Sequence, residues 1–356
     1  MYRILTFVVM LVGVSVVRAD KLVRVAGGGT EENNVPATQA KLVQPFGIDF
    51  DKAGYYYLVE LKGERVLKVD PKGQFSILAG SGKKGNTGDG GPAREATFNG
   101  MHSLAVTPDG SIYLADTWNN RVRKIDPKSG QIAAFAGTGK KASSGDGGPA
   151  VDGDLGGIYC IAFNSDFSKL YLTDLDNRKI HYVDMKTNKI HHVAGSGKKG
   201  VPDDGADAKS APLVDPRAAC VDRQGNVYIL ERSGHALRVV DASGKIRTVA
   251  GTGKAGNTGD GGDARKATLN GPKHLCVDAE DNVIIADTAN HVIRKFTPKD
   301  GKIVRLAGTG KKGDSGDGGP PLSVAFNEPH GVFFQPGTTT LYIVDSMNNR
   351  VFRWDK

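Results

Sequence analysis

The chain of 356 residues carries a net charge of +8, with 39% apolar and 24% charged residues, 48 glycines and 16 prolines. That length buries a sizeable core in one or two domains, and the glycine and proline content lies below that of collagen-like or disordered chains. After the N-terminus no apolar run reaches the roughly 18 residues that a membrane span requires, so an integral membrane protein and a fibre are both excluded. Residues 1–19 read as a secretory leader: Arg3 gives a positive start, an apolar run covers 7–17, and Val17 and Ala19 supply the small residues before Asp20. The mature chain is therefore expected to begin near Asp20 and to be exported to the periplasm, the cell surface or the medium. Cys160, Cys220 and Cys276 are an odd set for an exported protein and lie in three different repeats. They are read as packed free thiols with no disulfide framework.

From residue 22 onward the sequence repeats one unit six times. An acidic residue closes an apolar strand at Glu60, Asp116, Asp174, Glu231, Asp287 and Asp345, at intervals of 56 to 58 residues. A glycine follows a later strand at Gly27, Gly80, Gly137, Gly195, Gly251 and Gly308. The second unit shows the internal order: short strands at 102–106, 112–116, 121–125 and 132–136, joined by turns rich in Pro, Asp, Asn and Gly. Alternation with period two and short turns predicts an antiparallel meander, and four strands per repeat at this period predict propeller blades. The last repeat supplies only three strands before the chain ends, while residues 22–27 match the fourth strand seen at 303–308. The expected fold is all-β: a single six-bladed β-propeller over 20–356, closed by the N-terminal strand completing the sixth blade, which leaves no sheet edge exposed.

The segments 112–122 (IYLADTWNNRV) and 341–351 (LYIVDSMNNRV) resemble the NHL repeat, and the resemblance extends over essentially the whole mature chain. It implies the propeller fold, on which scaffolds, ligand-binding ectodomains, lactonases and lyases are all built, so the fold leaves the activity open. The Asp-x-x-Asn-Asn-Arg turns recur in most blades and are read as turn-capping groups, with His235 and His291 as turn residues in the same column. The glycine-rich loops, such as GSGKKGNTGDGGPA at 80–93, open no helix and lack the Ser or Thr that follows Gly-Lys in a phosphate loop. They are read as blade-to-blade connections. Their Lys83, Lys84, Lys140, Lys141, Lys198, Lys199, Lys254, Lys311 and Lys312 form a basic fringe on one face. His181, His191 and His192 are read as surface residues of blade three.

Function is expected where the blades differ. The residue entering each innermost strand is Phe46, His102, Tyr159, Arg217, Lys273 and His330, five of them polar and no two neighbours alike. These six are expected to ring the channel mouth and bind a ligand. Arg217 and Lys273 suit a carboxylate or sulfate, and His102, Tyr159 and His330 are the candidate catalytic residues should the ring carry chemistry. The segments 329–331 (PHG) and 101–104 (MHSL) resemble those with which the peptidylglycine amidating lyase binds zinc, which implies His102 and His330 as metal ligands. In that family alternate blades supply the third histidine; here the place is taken by Arg217, and His274 one position beyond Lys273 is expected to face away unless the strand bulges. The reading is thus an exported module, expected to be a monomer, that binds a protein partner or a small anionic carbohydrate and requires no cofactor. The alternative is a lyase or hydrolase acting on a carbohydrate or amide-like substrate at the same ring, with a divalent metal, zinc or calcium. Nucleic acid is not expected as a partner, because the basic residues have no aromatic platforms between them.

Overall fold

A computed structural model describes residues 20–356; the leader read over residues 1–19 lies outside the described residues. Six small antiparallel sheets follow one another around a ring, each a meander of four strands, and two of them carry an extra two-residue strand at the outer edge. The innermost strands are Pro45–Phe50, Ser103–Val106, Ile158–Phe163, Pro216–Val221, His274–Val277 and Pro329–Phe334. Each sheet is covered on both faces by its neighbours, so apolar residues form six clusters, one at each blade-to-blade junction. The junctions explain why the second strands are buried along their whole length in five blades, and in blade three from Leu170 onward. Strand Lys21–Gly27 pairs with Arg350–Asp355, from Lys21 opposite Asp355 to Gly27 opposite Arg350, and so completes the sixth blade. The closure predicted from the sequence is the one observed.

The acidic column holds each blade to the connection that enters it. All six side chains are fully buried. Each carboxylate accepts a backbone N–H from 17 or 18 residues upstream: Val43 to Glu60, Asn99 to Asp116, Gly156 to Asp174, Val214 to Glu231, Asn270 to Asp287 and Asn327 to Asp345, at 2.6–2.9 Å. A cation on the third strand balances the buried charge, and its position alternates. Arg65 and Arg350 stand five residues after the acid, Arg238 and Arg294 seven, and blade two uses both Arg121 and Arg123. The asparagine of the turn adds a bond in four blades, as from Asn290 Nδ2 to Asp287 at 2.8 Å. The turn motif is therefore structural, and His235 and His291 sit in it with left-handed φ of 46° and 56°.

Blade three breaks this pattern. Where its neighbours place arginine it has His181, which is buried, contrary to the surface position expected from the sequence, and has no hydrogen-bond partner on either ring nitrogen among the described residues. Asp174 leans on Gly156 and Asn177 alone, and burial raises its pKa to about 6. Burial lowers His181 to about 3, with His192 beside it adding to the shift. The unfolded imidazole takes up a proton below about pH 6.5 that the folded one refuses, so His181 costs stability as pH falls from there towards 3. Asp174 acts with the opposite sign between about pH 4 and 6. His181→Leu removes the histidine contribution and leaves Asp174 in place. Relative to the wild type, it is expected to gain about 2 kcal/mol more at pH 5 than at pH 7.5, measured by urea unfolding at the two pH values.

Candidate functional site: the channel and its plug

Proline precedes the ring column in four blades, at Pro45, Pro216, Pro272 and Pro329. Its fixed φ starts the strand at a set point, so the next side chain is aimed at the axis. The structure brings five of the six ring residues into contact, and they plug the channel instead of lining an open mouth. The Phe46 ring lies 4.1 Å from that of His330 and 5.2 Å, edge on, from that of His102. His102 in turn lies 4.5 Å from Tyr159 and 6.4 Å from His330, and the Arg217 guanidinium sits 4.5 Å over Tyr159. Phe46, His102, Arg217 and His330 are buried, while Tyr159 and Lys273 are half-buried. Lys273 is turned aside, its Nζ donating to Glu328 at 3.0 Å. Exposed Trp118 completes the outer layer, its Nε1 donating to the Tyr159 hydroxyl at 3.4 Å.

One correction concerns His274. It was expected to face away from the axis, yet its ring is buried 6.0 Å from that of His330, and its Nδ1 accepts the Val332 N–H at 3.4 Å. The cause is a bulge: the Lys273 N–H donates to the Ala286 carbonyl at 3.1 Å while His274 is also paired with Ala286, so two residues oppose one and the alternation is lost, as it is at the same place in blades one, three, four and six. At the position after the ring residue the other blades have Gly47, Ser103, Cys160, Ala218 and Gly331, all small.

The protonation pattern follows from the bonds. A guanidinium only donates, so the 2.9 Å contact between Arg217 Nη2 and His330 Nε2 puts the His330 proton on Nδ1, where it has no partner. His102 Nδ1 donates to the Gly100 carbonyl at 2.8 Å, which leaves its Nε2 as the basic nitrogen. Burial, reinforced by the nearby Arg217 charge, holds both rings well below the usual imidazole range, and His274 at about 4. Three neutral imidazoles thus surround one cation. Arg217 is buried, donates to His330 and more distantly to the Tyr159 carbonyl at 3.4 Å, and keeps Nε without an acceptor. No carboxylate bonds to it among the described residues; burial, with Arg232 nearby, lowers it to about 10, still charged at neutral pH. Buried guanidinium groups elsewhere in this molecule each reach a carboxylate, as Arg123, Arg238 and Arg294 do. Arg217 is the exception among these.

The residues do not fit the zinc or calcium considered from the sequence. His330 Nε2 is already engaged by Arg217, the second imidazole is more than 6 Å away ring to ring, and the adjacent guanidinium charge opposes a cation. The lysine fringe is exposed; Lys140 and Lys141 pair with Asp154 and Asp176, and Lys84 lies over Trp118. All three cysteines are buried free thiols, Cys220 and Cys276 at the same level on adjacent innermost strands.

Inward of the plug the channel widens into a cavity of about 270 Å³, which the ring column alone does not announce. It runs from Gly47, Ser103, Cys160 and His274, just after the ring, to Phe167 and Pro336 in the turns of the opposite face. The signal in the sequence was the run of small residues in the second column.

A model of the Teneurin NHL domain matches residues 151–258, and the NHL repeat model matches 98–125. With six small sheets in a closed ring, these matches support one reading. The chain is an NHL-repeat six-bladed β-propeller. Human Teneurin-1 is 27% identical to this NHL propeller over 252 residues, 65% of the chain and 9% of Teneurin-1. Human NHL repeat-containing protein 2 is 25% identical over 315 residues, 81% of the chain and 43% of that protein. The propeller thus spans less than half the length of these relatives. Among solved structures, an auxiliary nutrient binding protein from Bacteroides thetaiotaomicron superposes with a TM-score of 0.68 at 16% identity, covering 94% of this chain and 76% of that one. The virginiamycin B lyase of Staphylococcus aureus gives 0.54 at 13% identity, with 95% and 99% covered. At such identity these likenesses show the fold alone. No helix among the described residues is long and apolar enough to cross a membrane.

Proposed function

We propose that this NHL propeller is a binding module that takes a carboxylate-bearing ligand at the plugged end of its channel. The observation that carries the reading is Arg217: a buried cation that no carboxylate bonds among the described residues, with Asp215 acting on it only at longer range. A buried charge without a bonded opposite partner is costly, and an incoming carboxylate that accepts from the Arg217 guanidinium would remove the cost. Tyr159 covers the guanidinium and is the residue that must swing aside to admit the ligand. Exposed Trp118 offers a face for a sugar ring, and Lys273 a second cation. An acidic carbohydrate meets all three, and an acidic side chain of a protein partner meets the cations. With the leader read over 1–19, the reading puts the module in an exported compartment, where burial of the three thiols keeps them from reacting.

The test is calorimetric titration of D-glucuronate at pH 7, with D-glucose as the neutral control. Saturable binding of glucuronate is expected, lost in Arg217→Met and weakened about tenfold or more in Trp118→Ala, with no binding of glucose. Binding of glucuronate that survives Arg217→Met, or none at millimolar concentration, would overturn the reading.

A further inference from the structure

The cavity at the other end of the channel has a chemistry of its own. It opens among the turns that join the first and second strands of the blades, away from Arg217 and the lysine fringe. Its outer wall is aromatic, with Phe50, Phe163, Phe333 and Phe334 facing it, and Phe167 stands at the opening. At one level of the wall the six blades supply Asp49, Ala105, Ala162, Cys220, Cys276 and Phe333, so a single carboxylate projects among small and apolar groups. Asp49 accepts from the backbone of Phe50 at 2.6 Å and of Val106 at 2.8 Å, which fixes it in place. No cation pairs with it among the described residues. Burial raises its pKa to about 7, a cost that a cationic partner would relieve.

Phe167 is a second, independent sign. Its turn position needs a left-handed residue, and Gly54, Gly110, Gly225 and Gly337 occupy it in blades one, two, four and six. Blade five uses Asp281, a residue that tolerates such a φ, and bonds it to Arg223. Blade three alone places a large aromatic there, at φ 60°, and leaves it 37% exposed at the cavity opening. A bulky side chain in that conformation costs about 1 kcal/mol that glycine avoids, and its ring packs only on Phe163, at 5.4 Å, with the rest of its face at the opening. A strained aromatic left part-exposed beside a cavity points to a role towards something absent from the chain itself.

We propose that the cavity is a second binding site, specific for a small aromatic amine in its ammonium form. The Asp49 carboxylate meets the charge, the phenylalanine faces hold the ring and favour the cation, and Phe167 closes over the occupant. For scale, an apolar cavity of about 150 Å³ is enough to hold benzene.

The experiment uses the chain from Asp20 and titrates 2-phenylethylamine, with 2-phenylethanol as its uncharged isostere, followed by thermal shift and calorimetry. The amine is expected to bind saturably and at least tenfold more tightly than the alcohol. Asp49→Asn removes that preference. Phe167→Gly, at an exposed turn where other blades have glycine, folds at least as well as the wild type and binds the amine several-fold more weakly. Arg217→Met leaves amine binding unchanged, which separates this site from the one at the plug. Equal affinity for amine and alcohol, no binding of either, or an amine affinity that neither Asp49→Asn nor Phe167→Gly alters would overturn the proposal.

Discussion

Arg217→Met is expected to raise the stability of the ligand-free protein by about 1–2 kcal/mol. The arginine is buried without a carboxylate, and the effective penalty for such an ion amounts to several kcal/mol. Against that stand a stacking contact with Tyr159 worth about 1–2 kcal/mol in a desolvated site and a hydrogen bond to His330 worth about 1 kcal/mol. The penalty wins, and methionine fills nearly the same volume, so no large cavity is left. Urea unfolding at pH 7 checks the sign. A structural arginine, kept for packing or for its bonds, would make the same substitution destabilising.

Glu231→Ala is expected to cost about 3–5 kcal/mol, the reverse case. Glu231 is fully buried; it accepts the Val214 N–H at 2.6 Å and two N–H groups of Arg238 at 2.6 and 2.9 Å. Removing it strands a buried guanidinium and frees the connection that enters blade four. Adding Arg238→Met to Glu231→Ala is expected to recover about half of the loss, because it removes the stranded charge but cannot restore the bond to Val214. Arg265→Ala, which breaks the exposed pair with Asp204, is expected to change stability by less than about 0.5 kcal/mol. Similar losses for the buried and the exposed variants would contradict the clasp role given to the acidic column.

The fold was legible because every blade repeats the same local instructions: an acid ending an apolar strand, a left-handed turn residue, and a glycine after the fourth strand. Closure was legible too, because residues 22–27 carry the pattern of a fourth strand that the last repeat lacks. The ring column could be found by asking where the repeats disagree, and five of its six residues do meet at the axis. Its shape was harder to read, since whether six side chains line a channel or collapse across it depends on the volume of their neighbours. His274 shows this: alternation alone turns it away, and the bulge at Lys273 and His274 brings it in. His181 was misjudged for a related reason. Its column is arginine in blades two, four and five, where the charge is buried against the acidic residue, and that comparison identifies a buried position that polarity hides. Arg217 was recognised as an anion ligand from its type. Its missing counter-ion, which separates it from the arginines that clasp the blades, is visible only once the strands are placed.

The central claim is that Arg217 is held uncompensated for an incoming carboxylate. The most direct measurement is the unfolding free energy of the wild type and of Arg217→Met, with chloride replaced stepwise by glucuronate at constant ionic strength. The account predicts a rise for the wild type that follows the logarithm of glucuronate concentration above its Kd, and a flat line, starting from a higher value, for the variant. Parallel lines for the two proteins, or a variant that starts lower, would contradict it.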